Sequence, residues 1–198
     1  MSHYFTTSSD DGTRHEVRAT IWGVDHHFTS APGVFSAHRL DLGTLVLFKQ
    51  THPPTGNLAR LLDLGCGFGP IAVALATHCP TAHVDAVDVN LLALQLTTEN
   101  AQRAGVGDRV HALEPAQVAP EIRYDEIWSN PPIRIGKQAL HDLLTTWLPR
   151  LTDDGIARLV VGRNLGADSL TKWLVGQGWQ AIKVASAKGF RVLEVSRG

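Results

Sequence analysis

Cysteine is scarce in this chain: only Cys66 and Cys79 occur among 198 residues. Neither paired spacing nor a neighbouring His cluster accompanies them, which excludes a disulfide framework and the usual zinc arrangements. Two free thiols suit a reducing cytosol. Long apolar runs are missing as well. No stretch reaches the roughly 18 residues of a membrane-spanning helix, and the opening "MSHYFTTSSDDGTRHEV" has no apolar core of signal-peptide length. The expected location is the cytoplasm, with no membrane partner. Neither sign of charge is in excess: 18 Lys+Arg against 19 Asp+Glu leave a net charge of -1. Without a global field, an RNA partner has to be met through a local patch. The ten His residues include the neighbours His26 and His27, but none has ligand spacing with a carboxylate or Cys, so no metal is expected. No Ser-His-Asp or Cys-His arrangement can be read from the spacing.

What the chain does have is 43% hydrophobic content, enough at this length for one sizeable core. From about residue 58 onward short apolar runs alternate with helical patterns. "LARLLDL" (58 to 64), "AHVDAVDV" (82 to 89), "RVHAL" (109 to 113), "YDEIW" (124 to 128) and "GIARLVV" (155 to 161) read as strands. Helices are predicted from 70 to 79 with Pro70 in the first turn, after Asn90 and before Gly105, from 136 to 150, and near 166 to 176. "WQAIKVAS" and "FRVLEVS" are joined by "AKG", short enough for a hairpin that turns one strand antiparallel. The sum is an α/β fold: a doubly wound, seven-stranded, mostly parallel sheet with helices on both faces. Residues 1 to 57 differ. "HEVRATIWGVDHHFTS" and "GTLVLFKQ" read as strands of an N-terminal β extension, too short to bury a core alone and therefore packed on the main domain, residues 58 to 198.

Three stretches converge on one edge of such a sheet. The turn "DLGCGFGP" (63 to 70) carries Gly65, Gly67 and Gly69, which permit positive φ and close approach of a ligand to backbone N–H groups at a helix N-terminus. Its spacing is G-x-G-x-G after an acid, not the G-x-G-x-x-G of dinucleotide folds. Asp88, at the carboxyl end of the second of these strands, is placed to accept both hydroxyls of a ribose, with Asp85 as the competing acid. "WSNPPIRIGK" (128 to 137) leaves the fourth strand through Asn-Pro-Pro. Such dipeptides mark turns in many proteins. Here the Asn130 carbonyl oxygen and the Pro131 carbonyl, on a backbone stiffened by Pro132, can accept both hydrogens of a planar amine and aim its lone pair.

Together these stretches resemble the class I S-adenosylmethionine-dependent methyltransferases, and within them the amino-methylating group with an Asn-Pro-Pro motif. "APGVFSAHRLDLGT" (31 to 44) resembles a segment of the small methyltransferase domain subfamily, whose best-known members methylate guanine N2 in 16S ribosomal RNA. The resemblance runs from about residue 31 to the C-terminus. It implies a Rossmann-like methyltransferase fold, S-adenosylmethionine as cofactor, and methyl transfer to an exocyclic amine. On this resemblance the cofactor meets Asp63, Gly65, Cys66, Gly67 and Gly69, then Asp88, Val89, Glu114 and Asn130. Catalysis falls to Asn130, Pro131, Pro132 and Ile133, and substrate contacts to Phe35, Ser36, Arg134 and Lys137. Ile133 stands where relatives often carry an aromatic, which gives up stacking of about 1 to 3 kcal/mol. Relatives often carry an acid after the third strand of the main domain that meets the adenine amine, and Glu114 is the acid near that place here.

The basic residues Arg134, Lys137, Arg163, Lys183, Lys188 and Arg191 form a potential phosphate-contacting rim. Trp147, Trp173 and Trp179 are expected in the core. The implied partner is ribosomal RNA or the small ribosomal subunit, met by a monomer or homodimer. Two other functions stay open on the sequence: methylation of a protein glutamine amide or another nucleic-acid amine, and a non-catalytic cofactor-binding module in ribosome assembly.

Overall fold

A computed structural model of the chain describes residues 13–131 and 136–198. Seven strands form one sheet: β3 (Arg60–Leu64), β4 (His83–Val87), β5 (Val110–Leu113), β6 (Tyr124–Ser129), β7 (Leu151–Gly162), β8 (Trp179–Ala187) and β9 (Phe190–Arg197). Their order is β5-β4-β3-β6-β7-β9-β8. Only β9 runs against the rest, pairing antiparallel with β7 and β8. The β3, β4 and β6 segments are buried almost without interruption because both faces of the sheet are covered. Helices α2 (Pro70–His78) and α3 (Leu91–Arg103) lie on one face, α4 (Lys137–Trp147) and α5 (Ala167–Gly176) on the other. Strand order reverses between β3 and β6, and the crevice at their carboxyl ends is where open α/β sheets bind ligands.

The N-terminal part departs from its sequence reading in one element. Strands β1 (His15–Ile21) and β2 (Val24–Ser30) form a separate two-stranded hairpin, closed by Trp22 and Gly23, both at positive φ. The segment "GTLVLFKQ", expected as a strand, is instead most of helix α1 (Leu42–Gln50). A short apolar run does not distinguish a buried helix from a strand by periodicity. The cap decides: the Asp41 side chain accepts the Gly43 and Thr44 N–H groups, satisfying donors that a helix start leaves open. At the other end the Trp22 indole N–H points at the Phe48 and Thr51 carbonyls, 3.1 and 3.0 Å away. Hairpin and helix then share a core with the sheet face of α2 and α3, in which Ile21, Phe28, Leu47 and Phe48 pack with Ile71, Leu75 and Trp128. Each such side chain contributes about 1.5–3 kcal/mol on full burial. Among the described residues no helix is long and apolar enough to cross a membrane.

Candidate active site

β3 runs into the crevice and ends in the glycine turn. Gly65, Gly67 and Gly69 all have positive φ (79°, 57° and 86°). At Gly69 the absence of a side chain also has a packing reason, since a Cβ would lie 2.8 Å from both Thr97 side-chain branches on α3. At Gly67 the same position is open space. The turn is tied to the next strand: Gly65 and Cys66 N–H donate to the Val87 carbonyl at 2.8 and 3.1 Å, and Gly67 N–H donates to Asp88 Oδ2 at 3.0 Å. Cys66 is buried beneath it, and burial pushes its thiol well above the ordinary range.

Two acids of the second main-domain strand have opposite surroundings. Asp85 is fully buried and committed, accepting from Arg60 at 3.0 Å and from the Tyr124 hydroxyl at 2.8 Å. Asp88 stands at the crevice. It accepts Gly67 N–H and, at 3.0 Å, Asn90 N–H, and a carboxylate with two such bonds keeps further lone pairs for ligand hydroxyls. Asn90 itself caps α3 through Leu92 N–H.

Asp63 lies below the turn, with 0% exposure. Its Oδ2 accepts Ala72 N–H from the first turn of α2 at 2.9 Å, while Oδ1 has no partner. Burial, opposed by that hydrogen bond and reinforced by the negative charge of Asp88, pushes its carboxyl up to about 8. An orphaned buried carboxylate oxygen of this kind calls for a cation or a donor from a ligand.

β6 delivers Asn130. The preceding Ser129 hydroxyl donates to the Leu64 carbonyl at 2.6 Å, locking the ends of β6 and β3 together. The Asn130 Nδ2 donates to Asp41 Oδ1 at 2.7 Å and to Thr44 Oγ1 at 3.0 Å. Helix α1 therefore reaches the site that the main sheet builds. Pro131 is buried beside it. Pro132, Ile133 and Arg134 lie outside the described residues.

These groups surround a cleft of about 350 Å³. Gly65, Gly67, Asp88, Asn90 and Asn130 line it, with an apolar wall that includes Val87, Val89, Ala93, Pro115, Leu143 and Trp147. Phe35 stands at its edge with 55% exposure and also borders a smaller pocket shared with Ser36, Asp41, Thr44, Cys66 and Asn130. Glu114 does not line the cleft. It is exposed, and its backbone N–H is held by Gln117 at 2.7 Å at the start of a 3-10 turn, so that Pro115 takes the lining position. Lys137 is exposed at the start of α4 and is not among the lining residues.

Residues 25–194 match the methyltransferase small domain family. The chain belongs to this family. It is 29% identical over 180 residues to the uncharacterized protein YbxB of Bacillus subtilis, covering 87% of each chain. To the ribosomal RNA small subunit methyltransferase C of Hahella chejuensis it is 44% identical over 106 residues, covering 53% of this chain and 30% of that protein. Among solved structures it is similar to a T. thermophilus 16S rRNA guanine-N2 methyltransferase in complex with AdoMet and guanosine. That likeness has a TM-score of 0.77 at 22% identity, over 98% of this chain and 52% of the other. The chain thus spans about half that structure, and less of the Hahella relative.

The family is by its description one of methyltransferases, and the similar T. thermophilus structure holds AdoMet, a methyl donor. The cleft fits that donor on its own chemistry. The apolar wall suits a flat base and the Asp88 carboxylate suits sugar hydroxyls, while Asp63, fully buried beneath the turn, is not among the lining residues.

Several contributors escaped sequence reading. Leu143 and Trp147 come from α4, one helical turn apart, and Trp147 lines the cleft as well as packing in the core. Their i, i+4 spacing carried only the signal of a buried helix face. Asp41 and Thr44 were visible only as part of "LDLGT". Of the basic rim, Arg163 follows β7, and its N–H donates to the carbonyl of Gly189, the residue after Lys188, at 2.7 Å. Arg191 pairs with Asp168, and Lys183 is exposed on strand β8.

Proposed function

We propose that the chain methylates the exocyclic N2 amine of a guanine in small-subunit ribosomal RNA. The observation that carries this reading is Asn130: it lines the cleft beside the glycine turn, its Nδ2 is occupied, and no donor among the described residues reaches its Oδ1. A free, fixed acceptor at that point suits a planar amine with two hydrogens. The names and titles of the relatives support ribosomal RNA as the bearer of that amine.

S-adenosylmethionine supplies an electrophilic methyl on a sulfonium when bound. In the proposed reaction the glycine turn would hold its amino-acid end, with the unpartnered Asp63 Oδ1 beneath it, Asp88 would hold its ribose, and Cys66 and Val89 would flank these contacts. Asn130 Oδ1 and the Pro131 carbonyl accept the two amine hydrogens. The nitrogen lone pair, otherwise delocalised into the ring, is then directed along the line of attack. The amine proton would become acidic only as the methyl group is transferred and would leave to solvent, so the acceptors on Asn130 and Pro131 would suffice without a strong base. For Pro132, Ile133, Arg134 and Lys137 a substrate role rests on the family resemblance of the motif and not on their placement. Phe35, exposed at the cleft edge, covers a face of the base, and Ser36 lies next to it.

A paired guanine hides its N2 edge in a duplex, so the target is single-stranded or flipped out. Net charge is close to balance, which favours a substrate presented by a folded particle in the cytoplasm over capture by a global field. In domain terms, residues 58–198 carry the donor site, and the 1–57 extension is proposed to be its packed companion. Incubation with methyl-labelled S-adenosylmethionine and unmethylated small subunits, naked ribosomal RNA or total protein, followed by digestion and mass spectrometry, tests the reading. Labelled N2-methylguanosine is the expected product. Label in a protein amide, or none in RNA, would remove the guanine assignment.

A further inference from the structure

We infer that Asp41 and Thr44, at the first turn of α1, are positioning residues that set the orientation of the Asn130 amide and so decide which of its two polar atoms faces the substrate. The inference rests on the reading of Asn130 as the amine acceptor and extends it to a second element. A primary amide can be turned by half a revolution with little change in shape, exchanging its acceptor oxygen for a donor NH₂. In the turned state Asn130 would present donors to a substrate amine, which has only donors to offer, and the site would repel the group it must hold.

The structure removes that ambiguity with chemistry. Asp41 Oδ1 lies 2.7 Å from Nδ2 and already accepts N–H groups from Gly43 at 2.7 Å and Thr44 at 3.3 Å. An oxygen whose lone pairs already take two N–H groups at the helix N-terminus meets Asn130 as an acceptor, so only the NH₂ side of Asn130 can face it. Thr44 Oγ1, buried in the first turn, takes the second Nδ2 proton at 3.0 Å. Both amide hydrogens are used, and Oδ1 is left as the free acceptor. Donation to a carboxylate also polarises the amide and makes Oδ1 a stronger acceptor.

A second observation shows that the helix start is fitted to this pair. A Cβ at Gly43 would stand 2.9 Å from Asp41 Oδ1, 2.9 Å from the Phe190 ring and 3.2 Å from Asn130 Oδ1. Gly43 is not at positive φ, so its lack of a side chain reflects close approach. The first turn of α1 is pressed against the amide, with the start of β9 behind it.

The test uses four variants of the full chain. Asp41→Ser keeps a good helix cap but withdraws the acceptor by about one bond length, whereas Asp41→Asn keeps an oxygen where Oδ1 stands. Thr44→Val removes the hydroxyl at nearly constant shape, and Thr44→Ser retains it. With methyl-labelled S-adenosylmethionine and unmethylated small-subunit RNA, Asp41→Ser is expected to lower kcat by about 10²-fold and Thr44→Val by about tenfold. Asp41→Asn and Thr44→Ser should recover most of the rate. S-adenosylmethionine affinity and melting temperature should stay near those of the unmodified protein in all four. Unchanged kcat in Asp41→Ser would overturn the inference, and so would Asp41→Asn as inactive as Asp41→Ser, which would mark a charge or base role.

A substrate-free arm separates this outcome from failure of the functional reading. The Asn130 side-chain amide resonances, assigned by their loss in Asn130→Ala, should show protons protected from exchange in the unmodified protein and unprotected in Asp41→Ser. If the protein labels no RNA, the substrate assignment falls while this arm still decides the clamp. Free-amide exchange rates in the unmodified protein would refute it.

Discussion

Asp63 and Ala72 are joined by a single hydrogen bond, from the Ala72 N–H to Oδ2 at 2.9 Å, and the other oxygen of the same buried carboxylate has no partner. The pair fixes the start of α2 under the glycine turn. It also leaves one acid held up to about 8 by burial. A folded-state pKa above the unfolded one means that the native chain holds a proton that the unfolded chain has released. The associated stability is fully present below the ordinary carboxylate range and is lost as pH rises through the raised value.

Binding of a cationic tail at Oδ1 should favour the ionised carboxyl and expel that proton. The affinity for S-adenosylmethionine is therefore predicted to strengthen as pH rises from about 6 to about 7.5, by up to about tenfold per unit. Asp63→Asn should bind more weakly and lose this slope. Titration calorimetry in buffers of different ionisation heat reads both the affinity and the released proton. A flat profile for the unmodified protein would detach Asp63 from the donor's charged end.

Asn130→Ala should reduce methyl transfer to background while leaving the S-adenosylmethionine dissociation constant within about twofold, a change below the worth of one ordinary hydrogen bond. Equal loss of binding and transfer would make Asn130 a cofactor residue only. Single-turnover kinetics together with equilibrium binding make the separation.

Asp88→Ala is predicted to weaken donor binding by about 1.5–3 kcal/mol, the scale of hydrogen bonds to a charged group. The same change releases Gly67 and Asn90 N–H, so Asp88→Asn, which keeps one acceptor oxygen, should lie between the two. An unaltered dissociation constant in Asp88→Ala would remove it from the ribose site.

Phe35→Ala should raise the KM for RNA by an amount equivalent to about 1–3 kcal/mol, the range for one stacked base. Folding should be nearly unaffected, because the side chain is 55% exposed. If instead the donor's dissociation constant carried the whole loss, Phe35 would belong to the cofactor side of the cleft.

Gly69→Ala tests the scaffold alone. It places a Cβ 2.8 Å from Thr97 and asks a non-glycine residue to hold a φ of 86°. The left-handed conformation costs about 1–2 kcal/mol, and the contact with α3 adds to it. Chemical denaturation should show a loss of at least that size, and a neutral result would mean that the turn can shift.

The central strands were legible because their pattern is local. Runs such as "RLLDL" and "HVDAV" are buried on both faces, and glycine, proline and Asn at their ends mark where each stops. Asn90 was read as a cap from its type and place, and its side chain does accept Leu92 N–H. Helix α1 was not legible. "GTLVLFKQ" satisfies a strand template as well as a helix template, and the choice rests on Asp41 and on Trp22 reaching the last carbonyls from a hairpin.

The same division runs through the site. Sequence alone determined the doubly wound sheet, the glycine turn and the convergence of Asp88 and Asn130 at one edge, because strand polarity and turn chemistry are encoded in neighbouring residues. Only the tertiary structure decided that Asp85 belongs to Arg60 and Tyr124, and that Asn130 is held by Asp41, 89 residues away along the chain. No periodicity records which buried acid is already paired or which atom of an amide is free. Those are settled when distant segments pack together and each buried donor must find an acceptor.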